Sequence, residues 1–310
     1  MRAYSIFDDY PVEAVSTLKQ VGVEVTVHPL GVARPDDDRM KEILNEYECI
    51  IIGTSQKIKI DMFEGIETPR IIATASVGVD HIRIPDNKRG LVKIINSPGS
   101  NTVSVAEYVI GALLLARKRY FEGNSLYGKG YNNKMLIRKP EDIYGATVGL
   151  IGAGRISTRI MELLQPFGVH ILCYTKHPDA HKELIEQFKI QFTTLEEVVK
   201  QADMLAVCVP ETDSTYNLID ESIVANMKES CVFISIAREK VTNIKALIQK
   251  ANTCPNFYVI LDVDVVPEYT SFCNGRNIII TPHIAGGTIE SRKRMFMDIA
   301  ERITKHIQSI

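Results

Sequence analysis

The 310-residue sequence predicts an α/β fold of two parallel-sheet domains, with a doubly wound sheet inserted into a smaller, discontinuous domain. Three observations carry this. Apolar strand-like runs alternate with helical periods along the whole chain. Near the middle, at Val148-Gly149-Leu150-Ile151-Gly152-Ala153-Gly154-Arg155-Ile156-Ser157, an apolar run breaks into a glycine turn and then into a helical pattern. Beyond the last strand a helical pattern remains with no further strand to support, so it is expected to return to the first domain.

In order, strands are predicted over 3–7, 25–28, 50–53, 71–75 and 92–96. A long helix follows over 102–119, with Val105, Val109, Ala112, Leu113 and Ala116 on one apolar face. The Gly-, Asn- and Lys-containing segment 122–139 has weak periodicity and is expected to be an arm packing on a partner subunit. Strands are then predicted over 147–151, 169–174, 204–209, 232–236, 258–263 and 277–281, most of them separated by helices, and the last helix over 288–307. The boundaries expected are 1–99 with 287–310 for one domain and 100–286 for the other.

Composition excludes several classes. With 45% hydrophobic and 24% charged residues and a net charge of -2, the chain offers no basic field for nucleic acid and no acidic tail. The longest apolar run, around 108–116, is too short for a bilayer and is flanked by Glu107 and by Arg117-Lys118-Arg119. No secretory pattern opens the chain, so a cytoplasmic protein is expected. Cys49, Cys173, Cys208, Cys231, Cys254 and Cys273 are scattered without metal-ligand spacing, which fits reduced thiols and no metal site.

The chemistry gathers at strand ends. Gly152 permits a tight turn and Gly154 a close backbone approach to a pyrophosphate, which the amides of the next helix, including those of Arg155 and Ile156, would face. Ser157 stands at the third glycine position. After the following strand, Thr175, Lys176 and His177 would meet the adenosine ribose; a hydroxyl beside a cation suits a 2′-phosphate, so NADP is favoured over NAD. At the end of the run Phe233-Ile234-Ser235-Ile236-Ala237, Arg238 can hold a carboxylate and polarise a carbonyl. Asp262 ends the next strand, placed to accept from a nicotinamide amide, and His283 ends the last, before Gly286-Gly287, placed as a general acid.

These residues resemble the D-isomer-specific 2-hydroxyacid dehydrogenases over essentially the whole length. The resemblance implies two Rossmann-like domains, the smaller one flavodoxin-like and substrate-binding. It makes Ala75-Ser76-Val77-Gly78-Val79-Asp80-His81 the loop whose amides hold the substrate carboxylate, with Asn101 near the substrate. It makes Val209, Pro210 and Thr215 part of a cofactor loop, with Ile236, Ala237, Asp262 and Gly286 also on the cofactor. Arg238 and His283 fall on the catalytic arginine and histidine. The implied reaction is NAD(P)-dependent interconversion of a small 2-oxoacid and its D-2-hydroxyacid by a homodimer, across a closing interdomain cleft.

Three positions depart from the family pattern. Ser157 replaces a glycine, Glu239 replaces the glycine after the arginine, and the glutamate that pairs with the histidine falls at Pro267, with Glu268 beside it. A one-residue loop adjustment would bring Glu268 to His283; otherwise Asp264 would serve. A cluster of Asp262, Asp264 and Glu268 as metal ligands is disfavoured, because strand alternation separates their directions. A rival from another class is a cofactor-sensing binding protein of the same fold, supported by the irregular Glu268 region and opposed by retention of Arg238 and His283. A formate dehydrogenase is less favoured, because that related family places a glutamine with its histidine.

Overall fold

The computed structural model describes residues 1–130, 139–273 and 276–309. The chain divides into two compact units, Met1–Asn101 with Thr288–Ile310, and Thr102–Gly287.

The first unit holds five parallel strands, β1 (Arg2–Ser5), β2 (Glu24–Val27), β3 (Cys49–Ile52), β4 (Arg70–Thr74) and β5 (Val92–Asn96), in the order β2-β1-β3-β4-β5. This is the flavodoxin-like order. Every residue of β3 and β4 is buried, as expected of central parallel strands covered on both faces. Helices α1 (Val12–Lys19) and α2 (Asp37–Glu46) connect the first strands. In α2 the Asp36 carboxylate caps the helix by accepting from the Arg39 amide at 2.9 Å, while Met40, Ile43 and Leu44 make the buried face.

The second unit holds seven parallel strands: β6 (Thr147–Ile151), β7 (His170–Tyr174), β8 (Gln191–Phe192), β9 (Met204–Val207), β10 (Val232–Ser235), β11 (Tyr258–Val263) and β12 (Ile278–Pro282). Their order is β12-β11-β10-β9-β6-β7-β8, so the winding reverses between β6 and β9. In doubly wound sheets that reversal, at the carboxyl ends of the strands, is where ligands bind. Helix α3 (Thr102–Arg117) buries Val105, Ala106, Val109, Ala112, Leu113 and Ala116. It stops two residues before the predicted end because Arg119 takes a left-handed conformation, φ 58°. Part of the predicted arm is helical, α4 (Tyr120–Tyr127), and residues 131–138 of that arm lie outside the described residues.

Five more helices, α5 (Arg155–Leu164), α6 (Glu183–Phe188), α7 (Leu195–Gln201), α8 (Glu221–Asn226) and α9 (Ile244–Thr253), complete this unit. The last helix, α10 (Ile289–Gln308), belongs to the first unit. Phe296, Ile299, Ala300 and Ile303 of α10 lie in that unit's core, where the Phe296 ring meets Phe7 edge-on at 4.8 Å. Thr288 caps it, with the side chain accepting from the Ser291 amide at 3.0 Å.

Candidate active site

The turn after β6 has the geometry of a pyrophosphate site. Gly152 sits at φ 107°, and a Cβ there would meet Val209 Cγ1 at 3.0 Å and the Cys208 carbonyl oxygen at 3.2 Å. Gly154 is the extended N-cap of α5, and a Cβ built on it meets nothing within 4 Å. Open space therefore lies over the first turn of α5, where the amides of Arg155 and Ile156 begin the helix. Ser157 is fully buried and small enough for the helix to rest on the sheet. These features fit a dinucleotide, whose pyrophosphate would face the positive end of α5.

After β7, Thr175 is half-buried and Lys176 and His177 are exposed. The Lys176 Nζ donates to the Ser214 carbonyl at 2.8 Å, tying this loop to the one that follows β9. In that second loop Thr215 is buried and its hydroxyl donates to the Pro210 carbonyl at 2.6 Å and accepts from the Thr212 amide at 2.8 Å. Thr215 therefore shapes the loop, and Val209 packs beside Gly152.

Three neighbouring strands, β10, β11 and β12, bring Arg238, Asp262 and His283 to one edge of the sheet. Arg238 lies three residues past β10, Asp262 is the penultimate residue of β11 and pairs in register with Thr281, and His283 follows β12. Asp262 is 4% exposed. Its Oδ1 accepts from Thr281 Oγ1 at 2.6 Å and from the Ile284 amide at 2.8 Å, and its Oδ2 accepts from the Ala285 amide at 2.8 Å. Tyr108 of α3 lies 2.7 Å from Thr281 Oγ1 and completes the chain of hydroxyls. The carboxylate expected to meet the nicotinamide is thus also the clasp of the histidine turn.

His283 itself has φ 51°, one of four non-glycine residues in this region among those described. Its Nε2 stands 3.3 Å from Arg238 Nη1, and its Nδ1 stands 2.9 Å from Asp264 Oδ1. A guanidinium only donates, so Nε2 must accept and the hydrogen sits on Nδ1, donated to Asp264. Arg238, Asp264 and His283 line a recess of about 140 Å³ together with Glu211, Ala237, Glu239, Lys240 and Val263.

Glu268 does not reach the imidazole, which corrects the expected pairing. It is exposed, in the short 3₁₀ turn Pro267–Phe272. The next residue, Tyr269, is buried, its ring packs on Phe272 at 6.1 Å, and its hydroxyl donates to Glu239 Oε1 at 2.6 Å. Burial, reinforced by the Glu239 carboxylate, holds the Tyr269 phenol well above its usual range, so it stays a donor. This bond joins positions thirty residues apart in sequence, and no local pattern announces it.

In the first unit, Ser76 is buried and donates from Oγ to the Gly78 carbonyl at 2.6 Å, while Asn96 Nδ2 donates to the Val77 carbonyl at 2.6 Å. The amides of Val77 and Gly78 make no hydrogen bond among the described residues, so the pinned loop presents donors. Asn101 is half-buried at the end of the same unit. Burial pushes the thiols of Cys49, Cys173, Cys208 and Cys231 up to about 12, which leaves no thiolate nucleophile among them. No group of three or more His, Cys, Asp or Glu residues among those described could hold a metal ion. No described helix is long and apolar enough to cross a membrane.

A doubly wound sheet with a glycine turn at its reversal, and an arginine and a histidine facing one recess, is the arrangement of a dinucleotide-dependent α/β enzyme. Residues 110–285 match the family described as D-isomer specific 2-hydroxyacid dehydrogenase, NAD binding domain. The chain belongs to the D-isomer-specific 2-hydroxyacid dehydrogenases. It is 29% identical to a glyoxylate reductase of Thermofilum pendens, over 92% of this chain and 85% of that one. It is 26% identical to a hydroxypyruvate reductase of Thermotoga maritima, over 99% of both. A solved D-isomer-specific 2-hydroxyacid dehydrogenase from Polaromonas shares the fold with a TM-score of 0.82 at 24% identity, covering 99% of this chain and 97% of that one.

Proposed function

We propose that this protein reduces a small 2-oxoacid to the D-2-hydroxyacid, and catalyses the reverse, with Arg238 and His283 as the reacting pair. The observation that carries the proposal is the 3.3 Å approach of Arg238 Nη1 to His283 Nε2 over the recess. A carbonyl oxygen placed between them accepts from both once the imidazole is protonated, so developing negative charge meets two donors. The hydride is supplied by the bound nicotinamide cofactor. As C2 becomes tetrahedral, His283 gives the Nε2 proton to the alkoxide oxygen, and in oxidation the neutral imidazole takes it back. Arg238 holds the carboxylate and carbonyl through its planar fork.

Ser76, Val77, Gly78 and Asn101 are assigned to the substrate. Gly152, Gly154, Arg155, Ile156, Val209, Pro210, Thr215, Ile236, Ala237 and Gly286 are assigned to the cofactor. Asp262 joins them through the acceptor capacity left on a carboxylate that already takes three hydrogen bonds. Thr175, Lys176 and His177 support a preference for NADP, because no acid stands where the ribose hydroxyls would be met. A cytoplasmic homodimer completes the proposal. It is supported by the family and by Tyr120 and Tyr127, which α4 leaves 64% and 84% exposed. A monomeric mass in solution would remove that part.

The test is oxidation of NADPH and NADH, in parallel, against glyoxylate, hydroxypyruvate, pyruvate, phenylpyruvate and phosphohydroxypyruvate. Turnover with any member that His283→Ala abolishes, with cofactor still bound, is expected. Silence across the panel with cofactor bound would favour a cofactor-sensing role instead.

A further inference from the structure

Two departures from the family pattern, Glu239 and the shifted Glu268, meet at one residue. Tyr269 is buried and its hydroxyl donates to Glu239 Oε1 at 2.6 Å, which anchors the turn 267–272 to the loop after β10. A glycine at 239 would offer no acceptor. With Tyr269 pinned, the adjacent Glu268 is left on the exposed side of the turn, and His283 Nδ1 finds Asp264 Oδ1 at 2.9 Å instead. Asp264 lies two residues past Asp262, so the end of β11 and the residue after it both close the histidine turn and supply the carboxylate on the ring.

Resting on the assignment of His283 as the acid and base, we infer that Asp264 is the positioning residue for His283, and that the Tyr269–Glu239 bond is what transfers this role to it from Glu268. The other charged groups that line the same recess are Arg238, Lys240, Glu211 and Glu239. Only Asp264 is within hydrogen-bond distance of the ring among the described carboxylates. Its side chain is 80% exposed, so the pair is hydrated and Asp264 acts by fixing the tautomer and direction of the ring. It touches neither substrate nor hydride.

The test compares Asp264→Asn, Asp264→Ala and Glu268→Gln by kcat and KM for reduction and by long-range proton–nitrogen NMR of the His283 ring. Asp264→Ala should lower kcat at least about 10-fold with KM for cofactor unchanged, and Asp264→Asn, whose amide oxygen still accepts from Nδ1–H, should lower it less. Glu268→Gln should superimpose on the parent protein. In the spectra the Nδ1–H tautomer should persist in Glu268→Gln and be lost in Asp264→Ala. A kcat that falls for Glu268→Gln and not for Asp264→Ala, or a tautomer indifferent to Asp264→Ala, overturns the inference. Because the spectra need no turnover, a protein that reduces none of the 2-oxoacids would fail the proposed reaction while leaving this inference still tested.

Discussion

The carboxylate of Asp262 sets the backbone of His283 without touching its ring: it accepts the amides of Ile284 and Ala285 at 2.8 Å each, and His283, just before them, is held at φ 51°. With Thr281 Oγ1 donating to the same carboxylate and Tyr108 behind it, the turn is fixed from the buried side. The His283 ring is therefore placed by a group on the neighbouring strand, and its direction does not depend on solvent-exposed contacts alone.

Asp262→Ala leaves two amides and a hydroxyl without their acceptor. Unsatisfied buried donors cost about 1–3 kcal/mol each, so a stability loss of at least about 2 kcal/mol is expected in urea denaturation. Turnover should fall further than stability explains, because His283 loses its aim. A variant with parental kcat and a parental midpoint would show that the clasp is dispensable.

The left-handed backbone at His283 gives a second expectation. A residue with a Cβ pays roughly 1–2 kcal/mol in this conformation, which glycine avoids. His283→Gly should then be more stable than His283→Ala by about 1 kcal/mol, with both inactive. Thermal denaturation of the two variants decides it; an alanine variant equal to or above the glycine variant would mean that the turn relaxes out of φ 51° when the ring is removed.

Much of this was legible in the sequence, for identifiable reasons. Buried parallel strands such as Ile71-Ile72-Ala73 announce themselves as continuous apolar runs, and the glycine turn at 152–154 marks the sheet's reversal. The placement of Arg238, Asp262 and His283 on one sheet edge was legible because each lies at or just past the end of a strand, where position alone gives direction. The partner of His283 was not, since it depends on the course of an irregular turn. That turn is set by Tyr269 and Glu239, whose contact spans thirty residues and leaves no periodic trace. The two-residue strand β8 was missed for the opposite reason, being too short to show a period.

The glycine turn separates binding from stability. Gly154→Ala adds a methyl group where the protein has nothing within 4 Å, so the fold should be nearly unaffected. The methyl group would stand in the space over α5, and nicotinamide-cofactor affinity should drop by about 10-fold or more, equivalent to about 1.4 kcal/mol. Gly152→Ala meets Val209 Cγ1 at 3.0 Å at a φ of 107°, and should lose stability as well as cofactor. Equal melting temperatures for the two variants would contradict the assignment of their roles.

The last expectation concerns pH and the first unit. Thr74 Oγ1 lies 2.9 Å from both Ser76 Oγ and His81 Nε2, and Ser76 Oγ donates to the Gly78 carbonyl. One hydrogen per hydroxyl leaves a single consistent direction: His81 Nε2–H donates to Thr74, Thr74 to Ser76, and Ser76 to Gly78. Burial holds the His81 imidazole below its usual range, against the weaker opposing pull of Asp80. The sign follows from linkage. Below pH of about 6.5 the unfolded chain binds a proton at this site that the folded chain resists, so the stability of the 74–81 loop falls as pH falls through that value. Hydrogen exchange at Ile72 and Ala73 should accelerate between pH 7.5 and about 5.5, after correction for intrinsic rates, and His81→Gln should flatten that dependence. If the variant and the parent respond alike, the pH sensitivity of this unit originates elsewhere than His81.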